Sequence, residues 1–403
     1  MRYTSHNMTV AQAAYQPRIH YSLIYVLSFL FALHSFLVIY VNSTYISQFM
    51  AEEVVGTLFI IGSSLAVFSF LFISNVLRKI GNVRLTVYLA LIELIALITL
   101  GLTTEASVAI TALVVFLVVN PLLFLSLDIF SETLIGDDEE TTGYKRGLAL
   151  ALMSTTGVIG PLLLGPLIGS GETENLNNVY LASAAIFAVF ILIILQRFRP
   201  FKDPQYSEVR VLDAIRSFWE DRNIRFSLSS QFMLQLCFSW MVIYVPLYLS
   251  TVIGLTWSEI GVIIAVGILA YVLLEFPIGY LADNYIGEQE MMILGYIIMS
   301  AGVAAIAMLE STNLWAWMAL MFGIRIGASL VETTTESYFF KHTKGDDTNF
   351  LSFFRLTRPL AVVFGALLGS ASLLYLSFSM AFYVLASVLL LGVYFASQIK
   401  DTK

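Results

Sequence analysis

Twelve apolar stretches, each long enough to cross a lipid bilayer, follow one another through this 403-residue chain. They run at roughly 20–47, 54–77, 84–102, 107–135, 146–170, 178–197, 225–251, 257–282, 289–309, 313–341, 348–374 and 377–398. A helix rises about 1.5 Å per residue, so about 20 apolar residues cover the hydrocarbon. Lipid offers the backbone no hydrogen bonds, which leaves helices and closed barrels as the only spanning structures. These runs are too long and too uniformly apolar for barrel strands. The chain is 58% hydrophobic and 12% charged with mean hydropathy +0.84, too little charge for the surface of a soluble protein. The expected fold class is all-α integral membrane, with twelve transmembrane helices.

The second half reads as a worn copy of the first. Val38-Ile39-Tyr40-Val41 returns 204 positions later as Val242-Ile243-Tyr244-Val245. Gly56 and Gly62 answer Gly261 and Gly267, Gly81 answers Gly287, Glu132 answers Glu336, and Gly165 answers Gly369. Such a repeat in a membrane chain points to two pseudo-symmetric six-helix bundles, 19–197 and 225–398, with a site between them. An even number of spans per repeat puts both bundles in the membrane the same way up. Between them, 198–224 is a basic linker opened by Pro200 and Pro204. Within it, Val211, Leu212, Ile215, Phe218 and Trp219 recur at helical spacing opposite Asp213, Arg216 and Glu220, predicting an amphipathic interfacial helix. Residues 1–18 are expected to be a disordered polar start and 399–403 a short tail.

Apart from Arg325, which sits inside a span, Lys and Arg fall on one side of the twelve-span map. The opposite loops carry only acids: Glu52, Glu53, Glu105, Glu172, Glu174, Glu259 and Glu310. The positive-inside rule then makes both termini cytoplasmic in a cell (inner or plasma) membrane. The first apolar run is long enough to remain as a span, so no cleavable signal is expected. The net charge of −7 advertises no nucleic-acid partner. The single cysteine, Cys237, excludes an internal disulfide framework and a thiolate cluster. Histidines occur only at 6, 20, 34 and 342, with no paired metal ligands and no nucleophile beside a base, so neither metal, cofactor nor enzyme is expected. The expected partners are the bilayer, a small solute and a proton, with the chain acting as a monomer.

Two turns carry a resemblance. After span 8 the chain reads Gly279-x-Leu281-Ala282-Asp283 and reaches Gly287; after span 2, Ser74 to Arg78 leads to Gly81. With twelve spans, a six-plus-six repeat and a central linker, the first of these resembles the loop motif of the major facilitator superfamily, with one extra residue before Gly287. The copy after span 2 departs from the motif, with Arg78 at the position of the acid and Ser74 at that of the glycine. The resemblance implies secondary transport by alternating access, with spans 1, 4, 7 and 10 lining a central chamber. Span 5, with Gly157, Gly160-Pro161, Gly165-Pro166 and Gly169, also resembles the glycine-proline motif of superfamily proton antiporters; a tight packing seam explains the same residues.

An ionisable side chain at mid-membrane costs about 2.5–3.5 kcal/mol on insertion scales, so each one needs a reason. Arg325, Ser329, Glu332 and Glu336 lie four, three and four residues apart and share one face of span 10. Arg325 is either the anchor of an anionic or polar substrate group or half of a buried ion pair. His34, Tyr40, Asn42, Asn120, Gln231, Gln235, Trp240 and Tyr244 are expected to complete the chamber, although Tyr40 and Tyr244 could instead serve as interfacial anchors. Asp128, Glu132, Glu332, Glu336 and Asp283 can oppose Arg78, Lys79, Arg355 and Arg358 as a gate at the inner ends. Glu93, Glu275 and His34 are the proton-coupling candidates, because a carboxyl in apolar surroundings or a histidine can load and release a proton near neutral pH; the resemblance makes span 3 peripheral, so a locally hydrogen-bonded structural acid equally explains Glu93, and a packing histidine explains His34. The leading expectation is proton-coupled export of a small molecule. The alternatives are proton-coupled uptake of a sugar, organic anion or small peptide, and, of another class, a non-transporting sensor or scaffold or a membrane-embedded enzyme.

Overall fold

Apolar runs become helices wherever nothing interrupts them, and the interruptions are informative. The computed structural model describes residues 22–135, 139–170, 175–204, 206, 221–342 and 348–399, and among these all regular structure is helical. The first half contains α1 (Ser22–Val38), α2 (Asn42–Ser47), α3 (Glu52–Ile80), α4 (Asn82–Leu102), α5 (Ala106–Ile135), α6 (Glu139–Leu162), α7 (Leu164–Ile168) and α8 (Asn177–Arg197). The second half contains α9 (Arg222–Thr251), α10 (Trp257–Leu281), α11 (Glu288–Ile306), α12 (Leu314–His342), α13 (Thr348–Tyr375) and α14 (Phe378–Ser397). Among the described residues eleven spans are long and apolar enough to cross a membrane on their own; the fifth contributes the apolar stretch Ala151–Leu162 of α6. The expected amphipathic linker helix, the polar start and the tail lie outside the described residues.

Two spans expected to be continuous are broken. The first divides at Ile39–Val41, which sets Tyr40 in the break between α1 and α2. The fifth divides at Leu163, whose amide reaches both Ile159 O (3.2 Å) and Gly160 O (3.1 Å). Pro161 and Pro166 remove two donors from the ladder there, so the chain bends instead of running on.

Each half repeats one packing plan. The first span packs on the fifth and sixth, the third on the fourth and sixth, and the second on the fourth: α1 on α6 and α8, α4 on α5 and α8, α3 on α5. The second half follows suit with α9 on α13 and α14, α11 on α12 and α14, α10 on α12. The halves meet along two symmetric seams, α3 against α13 and α6 against α10. Large apolar side chains such as Ile95 (64% exposed) and Phe276 (85%) cover the outer flank, as a lipid-facing surface requires.

The two turn glycines are structural equivalents. Gly81 has φ 79° and ψ 162°, Gly287 φ 97° and ψ 156°, backbone that only glycine adopts without strain. The residue inserted before Gly287 coincides with a π-turn over Ala282–Ile286, a wider turn that takes up an extra residue. Linker and bundle are joined here: Asp203 Oδ1 accepts from Asn82 N at 2.7 Å, capping the start of α4.

Within the second bundle α11 and α12 touch backbone to backbone. A β-carbon on Gly295 would sit 2.6 Å from Gly327 O, and one on Gly327 equally close to Gly295 O. Gly323, one turn away, has nothing within 4 Å. Gly295→Val is therefore expected to lower the thermal midpoint by about 5 °C or more and to cut membrane yield, an overpacking penalty of about 1–3 kcal/mol. Gly323→Ala should leave the midpoint within a degree; fluorescence-detected size-exclusion after heating reads both.

Candidate substrate and proton sites

Arg325 lies in α12 with its guanidinium over two ring faces, 5.3 Å from the Phe238 centroid on α9 and 5.8 Å from that of Tyr271 on α10. The rings stand edge to face, 6.2 Å apart. Gly267 makes room for the stem: a β-carbon there would press on Arg325 Cγ at 3.4 Å. The phenol of Tyr40, from the broken first span of the other bundle, also lies beside the guanidinium. Among the described residues no carboxylate comes within 4.0 Å of Arg325. Of the two readings left open by the sequence, the structural ion pair therefore has no partner here. Cation–ring contacts contribute about 0.5–2 kcal/mol each, whereas a buried charge without its counter-ion costs about 3–5 kcal/mol. The rings hold the cation in place without neutralising it.

Further along the same face stand Glu332 (half-buried) and Glu336 (exposed), and both feel the charge of Glu275 on α10. Beside Arg325, α9 carries Gln231 and Gln235, four residues apart and both buried, with neither Oε1 accepting a hydrogen bond. Ser329 Oγ and the Tyr271 hydroxyl are also buried without a hydrogen-bond partner. A cation, three carboxylates and several free buried acceptors thus collect on α9, α10 and α12.

The first bundle holds a second polar centre. His34 and Glu93 are completely buried, with His34 Nε2 3.5 Å from Glu93 Oε1. Asn120 Nδ2 donates to Glu93 Oε1 (2.8 Å) and to Ser35 Oγ (3.0 Å), and Ser35 Oγ lies 3.2 Å from His34 Nε2. On the other side of the ring, Ser183 Oγ is 3.3 Å from Nδ1 and donates to His34 O at 3.1 Å. Phe31 and Phe187 flank the imidazole at 5.1 and 4.3 Å. Glu93 Oε2 alone has no partner. The two centres occupy matching places in the repeat: Asn120 precedes Arg325 by 205 positions and His34 precedes Phe238 by 204.

Several expected chamber residues are placed elsewhere. His34 and Asn120 point into the first bundle, because Glu93, expected on a peripheral helix, turns its carboxyl inward to meet them. Asn42 Oδ1 accepts from the Tyr180 hydroxyl at 2.8 Å and ties α2 to α8. Trp240 Nε1 donates to Gly365 O (2.8 Å) and the Tyr244 hydroxyl to Ala366 O (2.9 Å), so both lace α9 to α13. Neither tyrosine serves as an interfacial anchor, since Tyr40 and Tyr244 are buried. A surface cleft of about 520 Å³ between α4 and α5, lined by residues such as Ile95 and Val108, faces the flank and carries none of these groups.

The end away from the linker is sealed between the bundles. Gly56 on α3 abuts Tyr244, Ser370 and Ala366, where a β-carbon would come within 2.9 Å of Ala366 O. Gly165 abuts Ser258, whose Cα would be 2.7 Å from a β-carbon, and Gly261 packs on the carbonyl of Pro161. The span 5 glycines thus form part of the seam between bundles. At the linker end Arg78, Lys79, Glu132, Glu336 and Arg358 are exposed and Asp128 is half-buried. No described cation lies within 4.0 Å of Glu332 or Glu336, so the expected clasp through those two acids is unmade in this conformation. The side chains of Asp283 and Arg355 lie outside the described set.

Sequence reasoning missed Phe238, Tyr271, Ser35 and Ser183. The repeat offset pairs Phe238 with His34, and Tyr271 stands one turn before Glu275; either signal could have found them.

Residues 228–401 match the family model described as Major Facilitator Superfamily. No curated protein matches the chain by sequence. Among solved structures, the nucleoside transporter NupG is similar at TM-score 0.70 and 13% identity, covering 94% of this chain and 98% of its own. A mutant of the same transporter scores 0.70 at 14% identity, with 94% and 100% covered. A mutant of a peptide transporter POT, solved in complex with sulfate, scores 0.73 at 11% identity, with 94% and 93% covered. These identities establish a shared fold, not a shared solute. The Major Facilitator Superfamily model thus covers the second half of the chain, and nearly the whole length shares the fold of these transporters.

Proposed function

We propose that this secondary transporter moves a small organic anion, or a polar solute with one anionic group, in exchange for protons. The observation that carries the reading is Arg325: a half-buried cation between the two bundles, held by ring faces and lacking a carboxylate partner. An anionic substrate would supply the missing counter-ion and offset the cost of the unpaired charge. Donor groups on the same solute would satisfy Gln231 and Gln235. Ligand sites have this composition, apolar walls with a few placed polar groups.

His34 and Glu93 are the proton carrier in this reading. Together they hold one proton without net charge, the state that low dielectric favours, and Asn120 stabilises the carboxylate when the proton leaves. Glu275, Glu332 and Glu336 lie on the route between Arg325 and the linker end, where solute and protons would exchange. The positive-inside distribution favours a cytoplasmic linker end, and in this reading the conformation is inward-facing with its outer seam shut. Export remains the favoured direction on the resemblance of span 5 to proton antiporters.

Arg325→Ala is expected to lower solute flux in proteoliposomes by at least a hundredfold, and Arg325→Lys to recover part of it. Equal flux by wild type and Arg325→Ala for every anionic solute that stabilises the protein would sink the anchor. Glu93→Gln should keep solute counterflow, which needs no net proton movement, while losing accumulation driven by a pH gradient. Retained gradient-driven accumulation would move the proton to the Glu275, Glu332 and Glu336 group. The direction of flux under an imposed gradient separates export from uptake. Gly56→Trp should wedge the outer seam, reducing transport more than tenfold while raising alkylation of a cysteine placed at Ser370; unchanged alkylation would contradict closure at this end.

A further inference from the structure

A groove of about 270 Å³ opens on the flank of the first bundle at the linker end, between the start of α4 and the end of α8. Its floor is apolar, from Val83, Val87, Ile194 and Leu195, and Arg84 and Arg199 stand at its rim. Both arginines are exposed, and among the described residues no carboxylate comes within 4.0 Å of either guanidinium. Arg199 is held toward the groove wall by its Nε, which donates to Leu195 O at 3.1 Å. Arg84 occupies the first turn of α4, where the helix dipole disfavours a cation. An anion bound beside it would offset that unfavourable interaction. The nearby Asp203 accepts from Asn82 N at 2.7 Å and from the Tyr206 hydroxyl at 2.5 Å, and comes within 4.0 Å of neither guanidinium.

We propose that this groove binds the headgroup of an anionic phospholipid. The phosphate would sit between Arg84 and Arg199, with the Tyr88 ring, 57% exposed, beside the glycerol and the acyl chains along Val87 and Leu195. Three observations favour a lipid over a free anion. The groove lies where an apolar span gives way to the polar linker, its floor is hydrocarbon, and it opens sideways onto the lipid-facing flank. Basic pockets between spans at this depth recognise such headgroups, with each cation adding to the preference over zwitterionic lipid. A lipid bridging α4 and α8 would also brace the junction that Asp203 makes between linker and bundle.

The full chain in nanodiscs of phosphatidylcholine, with or without phosphatidylglycerol, tests this. Phosphatidylglycerol is expected to raise the thermal midpoint by several degrees. The double variant Arg84→Ala, Arg199→Ala should lose most of that rise while keeping its midpoint in phosphatidylcholine. A rise retained in the double variant overturns the proposal, and so does an equal rise from soluble glycerol 3-phosphate in phosphatidylcholine discs, which would mark a free-anion site. Should the double variant not fold, Tyr88→Trp leaves both arginines in place. Brominated phosphatidylglycerol should then quench the new indole at a mole fraction about tenfold lower than brominated phosphatidylcholine. Equal quenching by the two lipids overturns the proposal.

Discussion

A bilayer core gives a peptide group nothing to bond to, and every feature of this molecule answers to that. Backbone groups must close their hydrogen bonds inside each span, so the chain becomes helices and its departures from helix are few and local. The departures fall where protein, not lipid, surrounds the backbone. The first span breaks at Tyr40, facing Arg325 of the other bundle, and the fifth breaks at Leu163, on the seam with α10. The same rule governs side chains. His34 and Glu93 are stable at zero exposure because each finds the other, along with Asn120 and two serines.

The repeat has been put to unequal use. At matching positions one bundle carries Asn120 and His34, the other Arg325 and Phe238. Asn120 closes a network in which nearly every atom is paired, whereas Arg325 stands over rings with its charge uncompensated. One half thereby closes a polar network inside its own bundle, and the other presents an open charge between the bundles. Rocking one bundle against the other along α3/α13 and α6/α10 is how the proposed transport would link the two.

Much of the architecture was legible in the chain. Span count, the six-plus-six repeat and the turn glycines could be read from apolar length and spacing, since bilayer thickness sets the first and backbone geometry the rest; the extra residue before Gly287 was read from the resemblance of its loop. Partner identities were less legible. Tyr40 and Tyr244 look alike as repeat mates, yet one lies beside Arg325 and the other bonds Ala366 O. Glu93 looked peripheral because span order says which helix lies outside, not which way a carboxyl on it turns. Phe238 and Tyr271 carried no polar signal, since a ring holding a cation has the same sequence signature as a ring in a core.

The sequence by itself determined that this chain spans a membrane as a duplicated set of helices, and that a few ionisable groups lie inside it. Those facts follow from transfer energies and periodicity, which are local and additive along the chain. Only the tertiary structure decided which of these groups meet. Two such groups interact strongly only when their atoms come within about 4 Å, and that distance depends on the rotation and tilt of helices far apart in sequence. Thus His34 and Glu93 became a closed pair, and Arg325 was left with aromatic faces in place of an anion.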